Sequence, residues 1–333
     1  MNQSDVQKRA FRRYLLVAFG MGAAILYGGL TRFLFGQQTQ SLGTLGLSFF
    51  GLTPVVLGVL TVLLASEQQK GSWSYVIFAP WGPCSACMVL AGILNWEAWF
   101  CIALALPLFW VLSSVGGVLG YLVWQIAKTV KSKYFTTSIL ILFTLSPYLA
   151  APVERLFPAQ TAIRTVHSQI EINSPPGVIW SQITNLQPIQ PWEERYALFH
   201  VLGLPRPREA RMACTEIGCI RTGQWENGLI FEGTVTKSIP EQMYWLTLKA
   251  DTHAVQPSQA PLEQIGSSVF SMVDDGYVIE DLGNGRSIVH LYSTYRLTSR
   301  INAYATAWTD FLLQDIQRYI LEIEQHRCES PSQ

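Results

Sequence analysis

The chain has 333 residues, enough for two domains, and its mean hydropathy of +0.23 with only 14% charged residues argues against an ordinary soluble protein. Its 23 bases and 23 acids cancel overall but not locally: through Val153 there are nine Lys or Arg against three acids, and beyond it 14 against 20. A basic, apolar front and an acidic, polar back fit a membrane anchor carrying a polar domain, and argue against nucleic acid as a partner, because phosphate binding needs a basic surface.

The first basic cluster, Lys8, Arg9, Arg12 and Arg13, precedes an uncharged run over residues 14–31. About 18 to 20 apolar residues cross a bilayer core as a helix. No small-x-small cleavage site follows, so the run is expected to stay as a first span with its basic end in the cytoplasm. Residues 42–65 form a second uncharged run. Residues 73–96 form a third, interrupted by Pro80, Gly82 and Pro83 and therefore either a broken span or an interfacial segment. Residues 98–127 are the clearest span and end at Lys128, Lys131 and Lys133; a last span covers residues 134–151. If residues 73–96 cross, there are five spans, the three lysines are cytoplasmic, and the C-terminal half lies in the periplasm. If they do not, there are four, and that half is cytoplasmic. The positive-inside bias favours five. Gly116 and Gly120 form a G-x-x-x-G that permits close helix packing, within the bundle or between chains.

The C-x-x-C formed by Cys84 and Cys87 lacks the thioredoxin order, since Gly82 and Pro83 precede the first Cys, and no βαβ pattern surrounds it. No His occurs in this half, so the pair offers no metal site.

The polar half opens with a strand in which Val166, Ser168, Ile170 and Ile172 alternate with His167, Gln169, Glu171 and Asn173. Pro175 and Pro176 stop it, and a short helix is expected over residues 177–184. Further strands are expected over residues 208–215, 218–225, 229–237, 243–250, 268–280 and 287–298, with Asn227-Gly228 and Asn284-Gly285 supplying hairpin turns. Residues 251–266, rich in Gln, Pro and Ser, read as a long loop. A closing helix over residues 302–327, with Ile301 just ahead of it, continues through Tyr304, Trp308, Phe311, Leu312, Ile316, Ile320 and Ile323 at three- and four-residue steps, one apolar stripe.

With the strand, the Pro turn, V-I-W from Val178 and the segments G-L-P-R-P-R-E-A-R, G-C-I-R-T-G-Q-W-E-N-G-L-I-F-E-G-T-V and D-G-Y-V-I-E, residues 165–327 resemble the START-like superfamily, also written SRPBCC, of polyketide cyclases and lipid-transport proteins. More narrowly, the chain resembles bacterial inner-membrane proteins that carry such a domain after several membrane helices. The resemblance implies a transmembrane helical region over residues 1–155 and an α+β helix-grip domain over residues 156–330, in which a curved antiparallel sheet wraps a long C-terminal helix around a ligand cavity. The implied function is binding, transfer or sensing of a hydrophobic small molecule: a lipid, isoprenoid or polyketide-like compound. Two alternatives stand beside it, a cyclase or dehydratase acting on a membrane-derived substrate, and a structural module that docks a protein partner.

Trp192, Phe231, Trp245, Phe270, Tyr277, Tyr292, Tyr295 and Trp308 are the candidate cavity lining; each could equally be ordinary core. Cys214 and Cys219 flank a short turn and could face each other as a disulfide, expected in an oxidising periplasm, or remain as free thiols in a cytoplasmic domain. His290 shares a strand face with Tyr292 and is the one weak candidate for a general base, provided that face is concave; the alternative is a histidine that completes a hydrogen-bond network. No G-x-S-x-G, H-E-x-x-H, phosphate loop or dinucleotide fingerprint occurs, so no catalytic set, metal or cofactor is expected.

Overall fold

The computed structural model describes residues 3–38, with side chains from Val17 to Phe35, and residues 46–130, 134–154, 156–216, 218–253 and 265–330. The chain divides into two compact units, Met1–Pro158 and Ala159–Gln333.

The first unit is helical among its described residues. Helix α1 spans Gln3–Gln38. A π-helical turn, Ser48–Leu52, leads into α2, Thr53–Leu63, with Pro54 in its first turn, where a missing N–H costs nothing. Short helices α3 (Glu67–Lys70) and α4 (Trp73–Phe78) precede α5 (Trp81–Ile93), α6 (Trp99–Val130) and α7 (Phe135–Glu154). Helix α2 is apolar all round and buried all round: Val56, Leu57, Val59 and Val62 are shut off from solvent. It crosses α6 so closely that a Cβ on Gly58 would collide with the Ser113 carbonyl, and one on Gly116 with the Val55 carbonyl. The G-x-x-x-G therefore packs inside the bundle. Large side chains on the outer faces, among them Leu26, Val111, Leu142 and Leu149, are exposed, the reverse of a water-facing surface.

Four helical stretches are long and apolar enough to cross a membrane: Val17–Phe35, Trp73–Ile93, Trp99–Val130 and Phe135–Glu154. The segment expected to be ambiguous, residues 73–96, is one of them, broken at Ala79-Pro80 where α4 passes into α5. The expected second span is instead the short one. Its helical part is Ser48–Leu63, about 24 Å long at 1.5 Å per residue against a hydrocarbon core of about 30 Å. Residues 42–45 and the lysines at 131 and 133 lie outside the described residues.

In the second unit, β1 (Gln160–Ile172) is followed by α8 (Pro176–Thr184), β2 (Asn185–Leu186) and α9 (Leu198–Val201). Then come β3 (Pro207–Thr215), β4 (Gly218–Trp225), β5 (Ile230–Ile239), β6 (Met243–Asp251), β7 (Phe270–Gly283), β8 (Arg286–Ser299) and α10 (Asn302–Glu329). The strands form one curled antiparallel half-barrel in the order β1-β8-β7-β6-β5-β4-β3-β2. Asn284 and Gly285 take φ of 56° and 74°, as a tight hairpin between twisted strands requires. Most of the expected loop over residues 251–266 lies outside the described residues.

Helix α10 packs on the concave face. The core gathers Ile172, Ile179, Ile183, Tyr244, Leu246, Tyr277, Ile279, Val289, Leu291 and Leu321. Along β8 the buried positions are Ser287, Val289, Leu291, Ser293, Tyr295 and Leu297, every second residue. On β7 a bulge between Met272 and Asp274 changes the parity: Phe270 and Met272 face the helix before it, Asp275, Tyr277 and Ile279 after it. The buried stripe of α10 also departs from the apolar periodicity, since it includes Thr306, Gln317 and Glu324, while Phe311 is 46% exposed and half-buried Trp308 packs with Tyr304 and Phe311.

Candidate functional site

A set of polar side chains lies between the concave sheet and α10, held by five elements. Helix α8 ends at Thr184 and leaves the Ile183 carbonyl without a helical partner. Two side chains from the sheet satisfy it: Tyr244 on β6 donates its hydroxyl at 3.1 Å and Arg221 on β4 donates Nη2 at 3.3 Å. The Tyr244 ring stacks on Tyr277 of β7 at 5.2 Å, and the Arg221 guanidinium lies 6.0 Å from the Tyr277 ring centroid. Tyr277 in turn donates its hydroxyl to Glu324 Oε1 of α10 at 3.1 Å. Deeper along the helix, Gln317 Nε2 donates to the Val166 carbonyl at 3.2 Å and to Ser293 Oγ at 3.0 Å, and Ser293 hydrogen-bonds Asp275.

Satisfaction is incomplete. Arg221 Nε, Asp275 Oδ1, Gln317 Oε1 and Glu324 Oε2 are all shut off from solvent and have no partner within the protein. Glu324 is 0% exposed and Gln317 2%. An unmade hydrogen bond on a buried group costs about 1–3 kcal/mol, and buried polar groups in folded proteins are nearly always paired. The ionisation of the two acids reflects the same setting. Burial pushes Asp275 up to about 7 against the pull of the Ser293 hydrogen bond and Arg221, and pushes Glu324 up to about 7 against Arg221 and the Tyr277 hydroxyl. Tyr277 is raised well above its ordinary value, by burial first and then by Glu324. The arrangement presents one guanidinium and two near-neutral carboxyl groups within an apolar shell, which suits recognition of a polar group or proton transfer to one.

The expected cavity residues scatter. Tyr277 stands in this cluster, and Phe270 and Tyr295 face the same side of the sheet, packed with Val166, Leu297 and Leu313. Phe231 shares the concave parity but packs with Trp225 and Leu229 in a separate cluster. Trp245 and Tyr292 point away from the helix, because their neighbours Tyr244, Leu246 and Leu291 occupy the core; a Cβ on Gly276 would collide with the Trp245 indole, which lies over it. Trp192 is 77% exposed, and Trp308 sits at the start of α10 outside the buried stripe. The general-base candidate is corrected on the same ground: His290 lies on the convex face, 3.1 Å from His167 Nε2 through its Nδ1, with the rings stacked and Tyr292 beside them. The apolar alternation Val289, Leu291, Leu297 in the sequence already marked the opposite face as the inner one. Cys214 and Cys219 are paired across the β3–β4 hairpin, their Cα atoms 4.0 Å apart, as a disulfide. Among the described residues, no group of three or more His, Cys, Asp or Glu could hold a metal ion.

The sequence analysis singled out none of Arg221, Asp275, Gln317 and Glu324. The bulge on β7 hid the face of Asp275. Gln317, Leu321 and Glu324 stand at i, i+4 and i+7 on α10, so two polar residues at core spacing were a signal available in the sequence.

No family model matches the chain, and no curated protein matches it. Among the solved structures it is similar to are a START superfamily protein, a cyclase and a synthase. A START superfamily protein from Mycobacterium smegmatis is 11% identical, with a TM-score of 0.34, covering 50% of this chain and 97% of that one. The Zhui aromatase/cyclase from Streptomyces sp. R1128 is 10% identical, with a TM-score of 0.31, covering 50% and 96%. Norcoclaurine synthase from Thalictrum flavum is 12% identical, with a TM-score of 0.30, covering 52% and 91%. None of the three bears on what this chain binds.

Proposed function

We propose that this is an integral membrane protein of five spans, the short Ser48–Leu63 helix included, whose helix-grip domain binds a hydrophobic small molecule and transfers or senses it at the membrane. The observation that carries the binding reading is the set of four unpartnered polar atoms enclosed by an apolar shell. A ligand with an apolar body and a polar end would meet both kinds of surface. The span count is supported by the four long apolar helices and the exposed apolar outer faces. With five spans and a cytoplasmic N-terminus, the domain lies in the periplasm, where the Cys214–Cys219 disulfide would persist. A tethered domain samples membrane ligands at high effective concentration.

A cyclase or dehydratase is the second reading, favoured by the burial of Asp275 and Glu324, which pushes both carboxyl groups up to about 7, where general acid–base chemistry at pH 7 works best. The test is to purify the full-length protein from its membrane in detergent, extract it with organic solvent and identify co-purifying molecules by mass spectrometry. One apolar compound at stoichiometric yield is expected. Recovery of bulk lipid alone, in the same proportions from wild type and from Arg221→Met, would sink the binding reading.

A further inference from the structure

The helical unit holds a cleft of its own, walled by α1, the π turn with α2, α5 and α6. On α6 the lining residues Cys101, Ile102, Ala105 and Phe109 stand at i, i+1, i+4 and i+8, one face of the helix, and the π turn with α2 repeats that spacing from Phe49 to Leu57. Eight residues of helix at 1.5 Å each make the wall about 12 Å long. The floor is apolar and buried at Leu57, Ile102 and Phe109, while Leu90 and Trp96, the exposed lining residues, mark the open side. At one end an ion pair lines the cleft: Arg32 Nε donates to Glu97 Oε1 at 2.8 Å, and Arg32 Nη2 to the Trp96 carbonyl at 3.0 Å. The enclosed interior is about 50 Å³. A single water takes about 10–15 Å³ on this measure, so about four methylene-sized groups fit. One lining glycine shows that the space is open. A Cβ on Gly29 would meet no atom within 4 Å, whereas one on its neighbour Gly28 would collide with Cys87 Sγ at 2.5 Å.

We infer that this cleft takes one hydrocarbon chain of a membrane amphiphile, with the chain end on the floor beside Leu57 and Phe109 and the polar group toward Arg32 and Glu97. The inference rests on the membrane-spanning reading of the helical unit and not on the helix-grip site. Three of the four walls belong to stretches long and apolar enough to cross a bilayer, so hydrocarbon is the solvent that reaches the opening. An apolar void of this kind stays dry, and the atoms around it lack dispersion partners on one side. A chain end supplies those partners and a water does not. The ion pair sets the orientation, because apolar atoms laid against a guanidinium and a carboxylate would displace polar contacts and return none.

The test is photolabelling of the full-length protein in nanodiscs with two probes that carry a diazirine near the end of the same saturated chain. One is the free long-chain alcohol and the other a phosphatidylcholine, so that single-chain and phospholipid sources are told apart. Labelled peptides are mapped by mass spectrometry. Saturable labelling by at least one probe is expected within residues 87–91 and 101–109. Gly29→Leu puts a side chain into the cleft and should lower that labelling about tenfold. Gly22→Leu, equally unobstructed but outside the cleft, should leave it unchanged. Ala105→Leu fills the cleft from the α6 side and replaces Gly29→Leu if that variant does not purify as a monodisperse species. Labelling spread without saturation over outer-face residues such as Leu26, Val111, Leu142 and Leu149 overturns the inference. So does cleft labelling that neither filling substitution reduces. A carbonate wash of the source membranes separates the two levels. Protein released into the wash overturns the membrane reading and the cleft assignment with it, whereas retained protein without cleft labelling overturns the cleft assignment alone.

Discussion

Replacing Glu324 by Gln should stabilise the helix-grip domain at pH 8 and leave it nearly unchanged at pH 5. Glu324 is fully buried, accepts one hydrogen bond from Tyr277, and is faced by Arg221, Arg327 and Cys328 as well. Burial is the largest influence on it and moves its pKa from the ordinary 4.5 up to about 7. Between those two values the folded state holds a proton that the unfolded state has lost. Stability is therefore full below about pH 4.5, falls as pH rises to about 7, and is lower by a constant amount above that. The interval corresponds to about 3 kcal/mol, reduced in practice by water entering the site. Gln is neutral throughout and keeps an oxygen for the Tyr277 hydroxyl. At pH 8 the variant should gain about 2–3 kcal/mol, roughly 4–10 °C in the melting temperature of a domain this size. The assay is thermal unfolding of the full-length protein in amphipol, followed by hydrogen exchange of peptides from β7 and α10 at both pH values. A variant that is destabilised equally at pH 5 and pH 8 would refute the reasoning, because it would mean that the ionised acid is fully compensated.

Four further outcomes follow from the packing. Cys214→Ser should lower domain stability by about 2 kcal/mol, the entropy of a short closed loop, and reductant should bring the wild type to the same melting point. Gly116→Val should abolish a monodisperse purified protein, since its side chain would enter the Val55 backbone, whereas Gly22→Ala, with nothing within 4 Å, should purify normally by size exclusion. Arg327 pairs with Glu193 through Nε at 2.6 Å and Nη2 at 2.7 Å and also donates to the Gln187 and Pro188 carbonyls, tying the loop after α8 to α10. Arg327→Lys keeps the charge but loses the fork, so it should cost about 1–3 kcal/mol in urea unfolding and raise proteolysis within residues 187–197. His290→Ala alters only the convex face, so the co-purifying compound and its yield should not change.

The helix-grip fold was legible where local periodicity and burial agree. The alternation from Val166 to Ile172, the two prolines before α8 and the Asn-Gly turns each report a local backbone preference that the tertiary structure keeps. The site was not legible for the opposite reason. Asp275 changes face because one extra residue enters β7 near Val273, and a bulge leaves no reliable trace in an alternating pattern. Arg221 has Ile220 and Thr222 as neighbours and reads as a surface residue until its strand is placed over α8. Aromatic content misled in another way. Trp245 and Tyr292 lie across Gly276 on the outer face, where large flat side chains cover a residue that has none. In the helical unit, apolar length identified four long segments, yet the most buried helix is the 11-residue α2, because it is enclosed by neighbouring helices.

The polar cluster is a poor device for stability, and that bears on why it is there. Replacing buried charged groups by apolar residues of similar volume is often neutral or stabilising by about 1–4 kcal/mol, and four orphan atoms add a further penalty. Positions 221, 275, 317 and 324 are surrounded by Ile183, Leu246, Leu291 and Leu321, so apolar side chains there would extend an existing core. Four of the buried unpartnered side-chain atoms among the described residues gather in this one cluster, while Thr53, His200 and Asn302 carry the others singly. The same argument separates this cluster from the convex histidine pair, where His167 and His290 satisfy each other at the surface. The difference lies in completion: the histidine pair has made its mutual hydrogen bond, whereas Arg221, Asp275, Gln317 and Glu324 each keep a buried atom without a partner.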